Sequence, residues 1–207
     1  MNPPKLNSLS NSLVLVISGP SGVGKDFVLS SLRTQPSAKD LAFIVTNTTR
    51  PQRSGEEQDA DYHFVTPAEF QAMIAANELL EYANVYGHWY GVPKKPVRAA
   101  LATELDAIIK VDVQGARAIK QLVPQAVLVF LLPPSLSELA ERLQKRNTES
   151  QDDLIRRLKT AEAEMAEVSF FDYAIVSETG QVERVTANLE AIITAEKHRV
   201  KAREYHL

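Results

Sequence analysis

The 207-residue sequence predicts an α/β fold, three layers deep, in which helices cover both faces of a parallel sheet. Three observations lead there. Short, β-branched apolar runs alternate with segments at helical spacing, the pattern of strands buried on both faces. The first run, Leu13–Ser18, passes through a glycine-rich turn directly into a helical segment. The rhythm then breaks over about Thr46–Val92, where short strands and a helix read as a small α+β insertion.

Along the chain, Leu13–Ser18 is a buried strand, and Phe27–Leu32 is spaced as a helix. Ala42–Thr46 is a second strand. Thr49–Asp61 is polar and loop-like. Tyr62–Val65 is a short strand, and Thr66-Pro67-Ala68-Glu69 is a capping box with proline at the first helical position. Glu78–Val92 alternates as antiparallel strands turning at Gly87-His88. Ala107–Val113 and Ala126–Leu132 are buried strands, with a helix from about Gly115 to Leu122 between them. Ser135–Glu138 is a second capping box, opening a helix that ends near Arg146. Asp152–Glu167 reads as a charged amphipathic helix, Tyr173–Val176 as the last strand and Val182–Arg203 as the last helix.

One domain is expected over residues 13–207, after a frayed polar leader at 1–12, with the core at 13–45 and 93–207 and the insertion at about 46–92. A hydrophobic content of 44% is enough for a substantial core. The absence of cysteine excludes disulfides and thiolate chemistry, and the four histidines lack metal-ligand spacing. A net charge of -3 argues against nucleic-acid binding by a basic surface. With no signal-peptide pattern and no run long enough to span a bilayer, no membrane partner and a cytoplasmic location are expected.

The chemistry begins at Gly19-Pro20-Ser21-Gly22-Val23-Gly24-Lys25. Strand, loop and helix follow in the order that a P-loop requires, so the core is expected to be of the P-loop NTPase kind. Such a loop curls its N–H groups around a phosphate at a helix N-terminus, and Lys25 reaches the β- and γ-phosphates of ATP. The loop usually continues with a hydroxyl residue, whereas Asp26 and Phe27 stand here. Asp26 is either a Mg²⁺ ligand, direct or through water, or a charge that favours the helix start.

A second set of residues concerns the acceptor. Thr46–Glu56 contains Thr-Thr-Arg50-Pro-Gln-Arg53-Ser-Gly-Glu. Asp61–Val65 reads DYHFV, Glu78–Ala83 reads ELLEYA, and Trp89–Pro93 reads WYGVP. In this order and spacing, these motifs resemble the GMP-binding region of guanylate kinases, and the resemblance extends from about Leu13 to Val200. It implies a phosphotransferase that moves the γ-phosphoryl group of ATP to GMP, with Mg²⁺ as cofactor. Arg50, Arg53, Tyr62 and Tyr90 would hold the GMP phosphate. Glu81 would accept guanine N1–H and N2–H, which adenine lacks, with Thr46 near O6 and Asp112 beside the base. Taken alone, the arginines read as solvated surface charge and the tyrosines as half-buried strand aromatics; Glu81 is odder in an apolar strand, since a buried carboxylate needs partners, with the outer side of its sheet as the alternative.

Two positions depart from the family pattern. Val92 stands where a hydroxyl residue is usual, removing a hydrogen bond to the base. Lys110 stands where an acidic residue is usual, and would either bind phosphate or pair with Asp26. The segment at about 142–160 resembles the lid of nucleoside monophosphate kinases, with Arg146 and Arg157 as its catalytic arginines beside Lys25 and Arg50. Arg156 reads as surface charge, Arg142 is open between the two, and Ser177 takes the place of an adenine-contacting asparagine. ATP and GMP are the expected partners, and the chain a monomer or homodimer. A non-catalytic guanylate-kinase-like binding module, or a relative using another acceptor, are the competing readings.

Overall fold

In the computed structural model, residues 12–85, 87–144, 151–201 and 203–205 are described. Residues 1–11 of the leader and Arg146 lie outside them, as does part of the segment read as a lid. The main sheet contains β1 (Val14–Ser18), β2 (Leu41–Ile44), β7 (Asp106–Lys110), β8 (Val127–Leu132) and β9 (Tyr173–Val176), in the order β2-β7-β1-β8-β9 and all parallel. Its helices are α1 (Lys25–Arg33), α3 (Lys94–Ala102), α4 (Val113–Leu122), α5 (Leu136–Gln144), α6 (Gln151–Ala166) and α7 (Val182–Lys197).

The alternation of side chains along β1 divides the core. Leu15 and Ile17, with Leu13 just before the strand, pack with Val28 and Leu32 of α1 and Leu189 and Ile193 of α7. Val14 and Val16 face the opposite way, among Val97 and Ala100 of α3 and Ala116 and Ile119 of α4. The three predicted layers follow directly. Each fully buried Val, Leu or Ile contributes about 1.5–3 kcal/mol, so β1 and its neighbour β8, both wholly buried over most of their length, anchor the sheet.

A second sheet has the order β4-β3-β6-β5, from β3 (Asn47–Thr48), β4 (His63–Phe64), β5 (Leu79–Val85) and β6 (His88–Pro93). β5 and β6 are antiparallel, as the aromatic alternation implied, and α2 (Pro67–Ala75) precedes them. Thr66 caps α2 with both bonds of the expected box. Leu80 and Val92 join the apolar cluster beneath α3 and α4, tying this sheet to the main one.

Several boundaries differ from expectation. The strand read as Ala107–Val113 stops at Lys110, because Asp112 is the N-cap of α4 and accepts from the Gly115 N–H at 2.8 Å. The strand read to Thr46 stops at Ile44, and the chain crosses to the second sheet at Asn47. Helix α3 was not expected. It starts after Pro93 with no side-chain cap and carries Pro96 in its first turn, so its start signals are weak. The last helix ends at Lys197, not Arg203. Beyond it the chain turns back, and Arg203 bonds buried Glu196 at 2.8 and 2.9 Å and the Gln125 carbonyl at 2.9 Å.

Candidate active site

The glycine-rich loop leaves β1 at Gly19, whose φ of +141° few L side chains adopt, and a Cβ there would stand 2.4 Å from the Leu131 carbonyl oxygen. Only glycine lets the loop pass this close to β8. At its far end Gly24, at φ +102°, caps α1. Between them the Val23 carbonyl accepts from Ser177 Oγ at 3.0 Å and from Arg142 Nη1 at 3.1 Å. Arg142 also donates to the Ser177 carbonyl at 2.7 Å and to Glu138 Oε1 at 2.6 Å. Arg142 therefore straps the loop to the end of β9, and the Ser177 hydroxyl is engaged in the same strap.

Lys25 folds back on its own loop, donating to Gly19 O at 2.5 Å and Pro20 O at 3.2 Å. Burial pushes its pKa down, against the opposing pull of Glu164 and Asp26. A cavity of about 400 Å³ opens on this loop. It brings Gly19, Ser21, Gly22, Gly24, Lys25 and Asp26 together with Thr46, Arg50, Arg53, Tyr62, Tyr90, Asp112 and Arg157. Of the expected loop residues, Pro20 and Val23 are buried away from it.

On the far wall, the Thr48 hydroxyl accepts from the Arg50 N–H at 3.1 Å and donates to Trp89 O at 3.0 Å. That fixes the direction of Arg50. Its guanidinium lies 5.4 Å from the Tyr62 ring centre and bonds Glu56 at 2.8 and 3.0 Å. Burial opposes its charge most strongly, but the hydrogen bond and charge of Glu56 together with Tyr90 outweigh it and hold the pKa above the ordinary value. Tyr62 and Tyr90 meet edge to face at 6.0 Å. Arg53 is exposed at the rim, and Thr46 is buried with a long 3.4 Å contact to Lys110 O.

Glu81 does not face outward. It is 5% exposed and sits against α4, where the missing side chain of Gly115 leaves room for its carboxyl. Its Oε2 has no hydrogen-bond partner among the described residues. Burial, reinforced by Asp112, pushes its pKa to about 8. Burial likewise raises the Asp112 pKa, against the Gly115 N–H. Glu81 does not itself line the cavity, but Asp112, whose charge acts on it, does. Val92, its cross-strand partner, is wholly buried in the apolar cluster.

Of the two readings of Lys110, the ion pair is present: Nζ donates to Asp26 Oδ1 at 2.6 Å. Among the described residues no group of three or more His, Asp or Glu could hold a metal unaided. Mg²⁺ is commonly held by one or two carboxylates plus substrate phosphates, and a single Asp26 at the loop fits that donor set.

From α6, Arg157 Nη2 donates to Ser21 Oγ at 2.6 Å. Arg156, read as surface charge, also borders the cavity. Glu164 was missed. Its carboxyl accepts from the Ser21 N–H within the field of Lys25, burial raises its pKa to about 7, and its Oε2 is buried without a hydrogen-bond partner among the described residues. The available signal was spacing: Arg157, buried Ala161 and Glu164 share one helix face.

A family model for guanylate kinase matches residues 11–196. The chain is 40% identical over 199 residues to the guanylate kinase of Carboxydothermus hydrogenoformans, covering 96% of each. It is 46% identical over 165 residues to that of Thermosynechococcus vestitus, covering 80% of this chain and 85% of the relative. The crystal structure of guanylate kinase from Anaplasma phagocytophilum aligns with a TM-score of 0.77 at 29% identity, covering 93% of this chain and 89% of that one. With its cavity built on a phosphate loop and matches of this extent, the chain belongs to the guanylate kinase family.

Proposed function

We infer that this protein transfers the γ-phosphoryl group of ATP to GMP, giving ADP and GDP. Beside family membership, one observation carries the reading: the phosphate loop with Lys25 and the wall of Arg50, Tyr62 and Tyr90 open on the same cavity. Direct transfer between two bound nucleotides needs such a shared space and no covalent protein intermediate.

In this reading ATP lies along Gly19–Lys25, and its phosphates take over the bonds that Lys25 makes to its own loop. The acceptor phosphate takes Arg50 from Glu56, assisted by Arg53 and the Tyr62 and Tyr90 hydroxyls. Guanine is read by Glu81, with Thr46 and Asp112 beside it. Its two adjacent N–H groups donate to the carboxylate oxygens, whereas adenine would leave those acceptors unmatched. Arg157, already on Ser21, stabilises the group in flight together with Lys25 and Arg50, and Arg146 is assigned the same role by resemblance. Mg²⁺, held through Asp26 and the phosphates, would screen their charge. Arg142 and Ser177 keep the loop in shape without touching substrate.

The test is ADP release from ATP and Mg²⁺ with GMP, AMP, CMP and UMP offered separately. Turnover with GMP alone is expected. A folded protein that turns over none of them, or prefers another acceptor, overturns the assignment.

A further inference from the structure

Lys110 ends β7 on the side of the sheet where the phosphate loop also emerges, and its side chain is only 12% exposed. A lysine so buried needs a reason. Its ammonium is held from two directions. On one side is Asp26, the residue after the loop lysine, at 2.6 Å. On the other is Tyr62, whose ring centre lies 4.2 Å from Nζ.

Tyr62 links this group to the acceptor side. The same ring lies under Arg50 at 5.4 Å and meets Tyr90 at 6.0 Å. Two cations therefore converge on one tyrosine at the cavity wall. Each is neutralised by a carboxylate in this state, Arg50 by Glu56 and Lys110 by Asp26. An ammonium has three donors, so a bond to Asp26 does not exhaust it. Like charges drawn to one place are stabilised by an anion between them, and a phosphate dianion has the oxygens to satisfy both.

We propose that Lys110 is a ligand of the acceptor's phosphate, held in position by Asp26 of the donor loop. This rests on the proposed GMP kinase reading and adds a cation that links the two phosphate sites. Lys110 then bonds an acceptor phosphate oxygen while Asp26 keeps the ammonium between donor and acceptor.

The test compares GMP with guanosine, which lacks the phosphate, by binding to Lys110→Gln, Lys110→Met and Lys110→Arg. Lys110→Met keeps the apolar stem on Tyr62 and guards against loss of fold, which is checked by the melting temperature. The Gln and Met variants are expected to weaken GMP by about tenfold or more, the range of a lost charged hydrogen bond. Guanosine should stay within about twofold, and Lys110→Arg should recover most of the GMP affinity, because it keeps the charge-assisted bond. If GMP and guanosine weaken together, Lys110 only shapes the pocket, and if neither changes, it does not touch substrate. Either result overturns the proposal. Wild-type turnover separates the two readings. No turnover with GMP, with the phosphate-selective loss intact, sinks the kinase assignment alone. Normal turnover with unchanged variant binding sinks the Lys110 contact alone.

Discussion

Removing the buried charge at Glu81 should change stability and guanine binding in opposite ways, each with its own pH dependence. The folded protein raises this carboxyl from 4.5 to about 8, chiefly by burial and secondarily through Asp112. The sign follows from linkage. A raised acid pKa contributes its stability in full below the unfolded value and loses it as pH rises through the folded one. At about 1.4 kcal/mol per pKa unit, roughly 3 kcal/mol is lost between pH 4.5 and 7, and the loss is complete above pH 8. Glu81→Gln removes that slope. Without nucleotide, the melting temperature of the variant should gain on wild type by about 6–12 °C over the same interval, at 2–4 °C per kcal/mol for a chain of this size. In the proposed reading guanine needs the ionised form, which a pKa of about 8 leaves at about one molecule in ten at pH 7. GMP binding should therefore release nearly one proton at pH 7, and affinity should rise about eightfold by pH 8.5. Calorimetry in buffers of different ionisation enthalpy reads both. The window lies above the second phosphate ionisation, near pH 6, which keeps that group out of the signal. Wild-type affinity flat from pH 7 to 8.5, with a buffer-independent enthalpy, would refute a neutral Glu81 that ionises on meeting the base.

Other perturbations address the loop. Glu164, raised by burial to about 7, is charged beside Lys25 only above that pH. Glu164→Gln should bind ATP about 3–10-fold more tightly than wild type at pH 8.5 and equally at pH 5.5, the difference being like-charge repulsion; equal affinities at both would remove Glu164 from the phosphate site. Arg142→Ala removes the Arg142 bond to the Ser177 carbonyl and one of the two donors on the Val23 carbonyl, which keeps the Ser177 hydroxyl. It should lower stability to urea by about 1–3 kcal/mol and weaken ATP while leaving GMP affinity unchanged. Gly19→Ala drives a Cβ into the Leu131 carbonyl, whereas Gly87→Ala, at φ +83°, meets open space. The first should abolish ATP binding, and the second should cost only about 1–2 kcal/mol, the strain of a left-handed residue, in thermal unfolding.

What could be read from the sequence divides by range. The loop and its flanking strand and helix were legible because glycines, lysine and apolar run lie within about a dozen residues. The capping box of α2 was legible for the same reason. The burial of Glu81 was not, because it depends on a glycine in α4, 34 positions away, that makes room for a carboxyl. Arg142 reads as one more charge on an amphipathic helix until the fold brings it to Val23, 119 residues away. Glu164 was hidden by its neighbours, since a helix this charged looks solvated on every face.

The long-range contacts share a pattern that composition conceals. A net charge of -3 speaks against a phosphate-binding protein only if the charges are spread evenly. Here basic groups are gathered at one cavity and matched locally by acids: Arg50 by Glu56, Lys110 by Asp26, and Lys25 by the field of Glu164. A cluster of bare cations would repel itself and destabilise the fold. Carboxylates from the same chain hold it together until phosphates displace or share them. In the proposed reading binding then exchanges one set of anions for another, so its strength depends on how readily Glu56 and Glu164 give way while Asp26 stays on Lys110. On that reading the acids around the cavity belong to phosphate recognition as much as the bases: neutralising Glu56 or Glu164 should tune nucleotide affinity upward, whereas removal of Lys25, Arg50 or Lys110, or of Asp26 that holds Lys110, should tune it downward.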